Sequence, residues 1–75
     1  MHVENLVKMA NQIGSFFEAE PDREQAIQDI ASHLRRFWDP RMRTAIIAHA
    51  DVGGAGLKEI VLDTIKTQRS NLLPS

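Results

Sequence analysis

Apolar residues recur every three or four positions along most of the chain, which is the spacing of one face of an α-helix. Four such stripes predict approximate helices over residues 3–18, 22–37, 40–50 and 57–68. The stripes consist of Val3, Leu6, Ala10, Ile13 and Phe17; Ile27, Ile30, Leu34 and Phe37, with Trp38 close to the same seam; Met42, Ala45, Ile46 and His49; and Leu57, Ile60, Val61 and Ile65. No stretch shows the alternation of a half-buried strand. The pattern predicts an all-α fold, a small bundle of three to four short helices.

Residues that cap or interrupt helices separate these segments. We place the helix junctions at Pro21, at Asp39-Pro40 and at Gly53–Gly56. Asp39 is a suitable N-cap, because its carboxylate can accept hydrogen bonds from the free amides of a first helical turn, and a proline in the next position loses no hydrogen bond. The glycine run can end the third helix in a left-handed turn.

The chain of 75 residues is long enough for one small domain. We expect this single helical domain over residues 3–69 and a disordered tail over residues 70–75. The sequence contains no cysteine, which excludes disulfides, iron–sulfur ligation and thiolate zinc sites. A domain of this size has a marginal core, so we expect a partner chain to reinforce it.

Charge and hydropathy narrow the classes of function. The net charge is −1, which does not fit a strongly basic nucleic-acid-binding arm. A membrane-spanning helix needs about 20 apolar residues in a row, and no apolar run in the sequence approaches that length. The N-terminal segment does not resemble a secretory signal. We therefore expect a cytoplasmic protein that binds neither membrane nor nucleic acid.

Chemistry-bearing residues form no recognisable catalytic or metal-binding pattern. His2, His33 and His49 lack the i, i+4 spacing of a helical metal site. His33 follows Asp29 by four residues, which predicts a local ion pair, whereas His49 lies on an apolar stripe as a hydrogen-bonded core histidine. The glycine run lacks the spacing of a phosphate-binding loop, so a helix–helix turn is favoured over an anion site. We predict no catalytic, cofactor-binding or metal-binding residue in this chain.

The segment at the second junction is the strongest candidate for a binding surface. It combines arginines with aromatic residues and a methionine, the residue types enriched in protein interfaces. The candidate partner-binding residues are Arg35, Arg36, Phe37, Trp38, Asp39, Arg41, Met42 and Arg43. Arg41 and Arg43 fall in a first helical turn, where a cation opposes the helix dipole without local benefit. The alternative is that Phe37 and Trp38 are core residues of a tight junction.

Two further features bear on partners. Residues 18–29 are mainly acidic and residues 35–43 mainly basic, so the small net charge is the sum of two patches of opposite sign. Phe16, Ile47 and Leu62 lie off the predicted stripes, where we expect exposed apolar side chains of a partner surface. A stand-alone helical adaptor that binds protein or nucleic acid stays open as the alternative function.

Three stretches of the sequence carry a resemblance to a known family. They are residues 6–17 (LVKMANQIGSFF), residues 33–43 (HLRRFWDPRMR) and residues 53–57 (GGAGL). Together they resemble the small delta subunit of bacterial NAD-dependent, molybdenum-containing formate dehydrogenases, over about residues 5–65.

The resemblance implies a non-catalytic accessory subunit of a formate dehydrogenase complex. Such a subunit would support assembly, stability or maturation by binding the large catalytic subunit. It implies that the molybdenum bis-pterin centre, the iron–sulfur clusters and the flavin belong to the other subunits, and that this chain carries no cofactor.

Overall fold

The computed structural model describes residues 2–74, which form five α-helices and contain no strand. The helices are α1 (Val3–Phe17), α2 (Arg23–Phe37), α3 (Pro40–Asp51), α4 (Glu59–Thr67) and α5 (Arg69–Leu72). This architecture confirms the all-α prediction, with the helix junctions at the three expected places. Within the described residues, no helix has the length and apolar character needed to cross a bilayer.

Side-chain caps fix the starts of two helices. The Asp22 carboxylate precedes α2 and accepts a hydrogen bond from the Gln25 amide at 3.3 Å. The Asp39 carboxylate precedes α3 and accepts from the Met42 amide at 3.0 Å, which confirms the predicted cap. Each cap satisfies one of the amides that a helix N-terminus leaves without a partner.

The glycine run ends α3 in a Schellman turn, as its composition predicted. The Gly54 amide donates to the His49 carbonyl at 2.9 Å and the Gly53 amide to the Ala50 carbonyl at 3.1 Å, the two hydrogen bonds that define this motif. Gly53 has a φ of 111°, a conformation that other residues rarely adopt. A ring nitrogen of His49 also bonds the Ala55 carbonyl at 2.8 Å, which is the hydrogen bond expected for this histidine.

The amide of Asn11 fastens the loop after α3 to α1. Its Nδ2 donates to the Gly56 carbonyl at 2.8 Å, and its Oδ1 accepts from the Lys58 amide at 2.9 Å. One side chain thus satisfies a donor and an acceptor of the loop. This contact holds the start of α4 against the middle of α1.

The core lies between the helices: α1 packs against α2, α3 and α4, and α5 packs against α2, α3 and α4. Its largest fully buried apolar side chains are Ile30, Leu34, Ile46, Val61, Ile65 and Leu72. Leu72 is 1% exposed and belongs to α5 (Arg69–Leu72), which corrects the expected disordered tail for residues 70–72. Ser75, the last residue of that predicted tail, lies outside the described residues. Residues up to Leu72 form α5, because the leucine side chain packs into the core and so holds this part of the chain against the bundle.

Of the three residues predicted to be exposed apolar side chains, two differ from the prediction. Ile47 is buried and Leu62 is half-buried against the core, although both lie off the predicted stripes. α3 packs against α1, α4 and α5, so more than one of its faces is covered. Phe16 is 75% exposed, in agreement with the prediction.

Candidate functional site

The predicted arginine–aromatic segment forms a tight junction between two helices. α2 ends at Phe37, Trp38 and Asp39 have extended backbones, and Pro40 begins α3. Helical periodicity stops at Phe37, so the side chains on either side of the junction point in directions that a helical stripe does not predict. Phe37 is 68% exposed, although it belongs to the predicted apolar stripe. Trp38, which was placed close to the same stripe, is buried.

Two candidate residues of this segment are buried inside the chain. Trp38 is 5% exposed and Arg43 is 7% exposed. The Arg43 Nη1 donates to the Arg35 carbonyl at 2.9 Å, one of the carbonyls that the end of α2 leaves without a helical partner. The guanidinium also lies at the negative end of that helix's dipole, where a cation is favourable. Arg43 and Trp38 therefore hold the junction together and do not lie on the free surface, contrary to the contact role predicted for them.

The remaining arginines of the segment are exposed. Arg35 donates to the Asn71 carbonyl at 3.3 Å and so ties α2 to α5. Arg36 lies over the ring of Phe37, with 5.9 Å from its guanidinium carbon to the ring centroid. Arg41 projects from the first turn of α3. Within residues 2–74, neither Arg36 nor Arg41 is paired with a carboxylate.

An open apolar groove of about 590 Å³ runs between α1 and this junction. Its lining comes from α1 and from the residues around the junction: Met9, Gln12, Ile13, Phe16, Phe17, His33, Phe37, Trp38 and Met42. The groove thus includes three of the predicted candidates, Phe37, Trp38 and Met42. The part contributed by α1 was not predicted as a site, although the adjacent phenylalanines at positions 16 and 17 were a visible signal.

Aromatic rings form a continuous row along one side of the groove. The rings of Phe16 and Phe17 meet edge to face at 5.0 Å between centroids, and the Phe17 ring lies 6.2 Å from that of His33. His33 in turn lies 4.7 Å from Phe37. The predicted ion pair between His33 and Asp29 does not form, because the imidazole packs between these two phenylalanines and Asp29 accepts instead from Gln25 at 2.9 Å.

The two ends of the groove carry charges of opposite sign. Beyond the Phe37 end lies Arg36, and Arg41 precedes the groove-lining Met42. Beyond the Phe16 end, a shallow depression is lined by Glu20 and Asp29. Asp29 also lines the depression that holds Arg36. Of the predicted acidic patch, Glu20 is therefore the carboxylate that lies on the Phe16 side alone, whereas Arg36 of the basic patch lies on the Phe37 side.

The remaining chemistry of the chain lies outside this groove. In the described residues, no group of three or more histidine or acidic side chains is placed to hold a metal ion. Hydrogen bonds from Arg69 lower the pKa of the Asp51 carboxyl from its ordinary value of 3.8, in an exposed pair that joins α3 to α5. The acidic Glu59 in the first turn of α4 disfavours an anion after the glycine run. The groove is thus the candidate site, an open and mainly apolar surface of the kind that binds other molecules.

The chain matches the model of a known protein family. Residues 5–65 match the family model described as NADH-dependent formate dehydrogenase delta subunit, FdsD. Neither the curated proteins nor the solved structures contain a significant match to the chain. The family match spans most of the 75 residues and includes the whole junction and groove. The chain therefore belongs to the family of delta subunits of NADH-dependent formate dehydrogenase.

Proposed function

We propose that this chain is a non-catalytic accessory subunit that binds the large molybdenum-containing subunit of a formate dehydrogenase complex and supports its assembly, stability or maturation. The family match over residues 5–65 supports membership of the complex. The single observation that carries the binding role is the exposed surface of aromatic and arginine side chains around the groove, which the chain's own fold leaves uncovered.

The contact residues that we propose are the exposed or half-exposed members of the predicted segment: Arg35, Arg36, Phe37, Arg41 and Met42. Arg36 and Arg41 are free to make charge-assisted, bidentate hydrogen bonds to carboxylates of the large subunit. Asp39 acts indirectly, since its cap holds the bend that presents these side chains. We leave Trp38 and Arg43 out of the contact surface because both are buried.

The cofactors that the family implies are assigned in this proposal to the other subunits. The chain has no cysteine, so it lacks the thiolates that hold iron–sulfur clusters. The groove offers Gln12 and His33 as its polar side chains among a mainly apolar lining, which suits a protein surface better than a highly charged cofactor.

The distribution of arginines also favours a protein partner over nucleic acid. Arg35 and Arg43 are engaged by backbone carbonyls of the chain itself, which leaves Arg36 and Arg41 free on this face. Electrostatic binding to nucleic acid depends on how many phosphates are neutralised by cations, and it falls steeply with salt. We therefore expect the chain to pass through a polyanion column at neutral pH.

Co-purification tests the proposed function. The delta chain is co-expressed with a tagged large subunit, as wild type and as the double variant Arg36→Glu, Arg41→Glu. We expect the wild type to co-purify and the double variant to be recovered at about one tenth of that level or less, because like charges facing each other across an interface cost more than about 1.4 kcal/mol. Lys66→Glu, an exposed charge reversal on α4, is the matched control and should bind as the wild type does.

Two results would contradict the proposal. Failure of the wild-type chain to co-purify with the large subunit would refute the binding role itself. Undiminished recovery of the double variant, with normal helicity by circular dichroism, would refute the arginine surface. Arg43 is excluded from this test because reversing a buried charge would disturb the junction and confound the result.

A further inference from the structure

We propose that the apolar groove receives an amphipathic helix of the large subunit, and that this helix lies in one direction, with an acidic C-terminal end beside Arg36 and a basic N-terminal end near Glu20. The inference rests on the proposed function and adds to it the kind of segment bound and its orientation.

The lining of the groove is that of a surface that binds helices. Two methionines, Met9 and Met42, lie in it together with three phenylalanines. Methionine side chains adapt to irregular apolar shapes, and grooves of this composition bind the apolar face of an amphipathic helix. Phe16 and Phe37 are 75% and 68% exposed, so the folded chain alone leaves most of their surface in water.

The length of the groove matches two turns of a helix. Met9 and Phe16 lie seven residues apart on α1, which is about 10.5 Å along the helix axis. A partner helix that runs alongside α1 presents residues i and i+7 over the same distance. We therefore expect anchors at i, i+3 or i+4, and i+7 on the partner, which is the usual spacing of helices in such grooves.

The charges at the two ends determine the direction. Arg36 lies on Phe37 at one end, and Glu20 lines the depression next to Phe16 at the other. Asp29 lies between them and lines both depressions. A helix carries partial negative charge at its C-terminus and partial positive charge at its N-terminus. The helix dipole and any side-chain charges at its ends both favour the C-terminus at Arg36 and the N-terminus at the acidic end.

A second copy of this chain fits the groove less well. The large exposed apolar side chains of the described residues are Met9, Phe16, Phe37, Val52 and Leu73. The first three line or border the groove itself, and Val52 and Leu73 lie at the ends of two different helices. The described part of the chain thus offers no convex apolar helix face that would fill the groove of another copy.

Site-specific photocrosslinking tests the proposal in the complex. A benzophenone amino acid replaces Phe16 in the groove or, as the matched control, Val52, which is 83% exposed and lies in the loop after α3. Both variants are co-expressed with the tagged large subunit and irradiated. We expect position 16 to crosslink to one segment of the large subunit, with apolar residues at i, i+3 or i+4, and i+7, and position 52 not to crosslink.

Several outcomes would overturn the inference. The groove would be refuted as the docking site by a crosslink from position 52 and not from position 16, or by no crosslink from position 16 in a complex that does co-purify. A crosslink between two delta chains would show that a second copy occupies the groove. A crosslinked segment without apolar residues at the expected spacing would refute the amphipathic helix. Failure of the wild-type chain to co-purify would instead refute the proposed function, so the two failures are distinguishable.

Substitutions give a second, independent measurement. We expect Phe16→Asp to lower recovery with the large subunit about tenfold or more, as for a central aromatic anchor, and Val52→Asp to leave it unchanged. Circular dichroism checks that both variants are folded. Charge reversal tests the direction of the bound helix. Glu20→Lys should lower the recovery of the delta chain with the large subunit. This loss should be smaller when a lysine or arginine at the N-terminal end of the crosslinked segment is changed to glutamate, because the opposite charges then face each other again. Equal recovery of Phe16→Asp and wild type would refute the groove as the docking site.

Discussion

Gly14 lies in the last turn of α1, and we predict that its replacement by alanine, which ordinarily stabilises a helix, destabilises this chain. Replacing a glycine inside a helix by alanine gains about 1 kcal/mol of helix propensity. At Gly14, however, an added Cβ would lie 2.6 Å from the Cγ2 of Val61 on α4, whereas carbon atoms in contact are about 3.5–4.0 Å apart. Val61 is fully buried, and its branched side chain has one strongly preferred rotamer in a helix.

The cost of this overlap exceeds the gain in propensity. Overfilling a packed core costs about 1–3 kcal/mol, because either Val61 leaves its rotamer or α1 and α4 move apart. Subtracting the helix gain leaves a net loss of about 1 kcal/mol in the free energy of unfolding. For a domain of this size, such a loss lowers the melting temperature by about 4–8 °C.

Thermal melts followed by circular dichroism measure this effect, and two further variants isolate its cause. Ser15→Ala, at the exposed neighbouring position, should be neutral or slightly stabilising. In a Val61→Ala background the clashing methyl group is absent, so Gly14→Ala should there raise the melting temperature. The reasoning is wrong if Gly14→Ala stabilises the wild-type chain, or if its effect is the same in both backgrounds.

Two further predictions concern polar contacts. Asp39→Ala should lower the free energy of unfolding by about 1 kcal/mol, since the α3 amide loses its cap; an unchanged melting temperature would show that the cap contributes nothing. Asp51→Asn should reduce the acid sensitivity of the fold. The pKa of Asp51 is lowered by its hydrogen bonds from Arg69, so the contribution of this pair is full above the ordinary carboxyl pKa and is lost as the pH falls through the folded-state value. Melts at about pH 6 and about pH 3 should therefore show a smaller loss of stability for Asp51→Asn than for the wild type, and equal losses would contradict this assignment.

The features that could be predicted from the sequence depend on neighbouring residues. The cap at Asp39 and the turn at Gly53–Gly56 were predictable because each is determined within about one helical turn of chain. The burial of Ile47 was not, because it depends on how α3 packs among three other helices. α5 was missed for the same reason: nothing near Leu72 in the sequence indicates that the core has room for one more leucine.

In the candidate site too, local features could be predicted from the sequence, whereas features that depend on tertiary packing could not. The unusual density of arginines and aromatics at the junction identified the correct region, but composition does not say which side chains turn inward. Arg43 opposes the dipole of its own helix α3, which suggested a role in binding. In the fold it lies against the carbonyl end of α2, where the same charge is favourable. A charge that is unfavourable at the start of its own helix can therefore be stabilised by the C-terminal end of a second helix. Sequence spacing alone does not reveal that the two helix ends are in contact.

The inward position of Arg43 changes which interactions must supply the binding energy in the proposed complex. Exposed ion pairs contribute about 0–1 kcal/mol each, and Arg36 and Arg41 are the two arginines of the segment whose side chains make no hydrogen bond within residues 2–74. Two such pairs are too weak to hold a subunit in place. Burying the exposed surface of a large aromatic side chain contributes about 1.5–3 kcal/mol, and the groove offers two of them in Phe16 and Phe37. In this proposal the groove therefore provides most of the affinity, and the arginines determine the direction in which the partner lies.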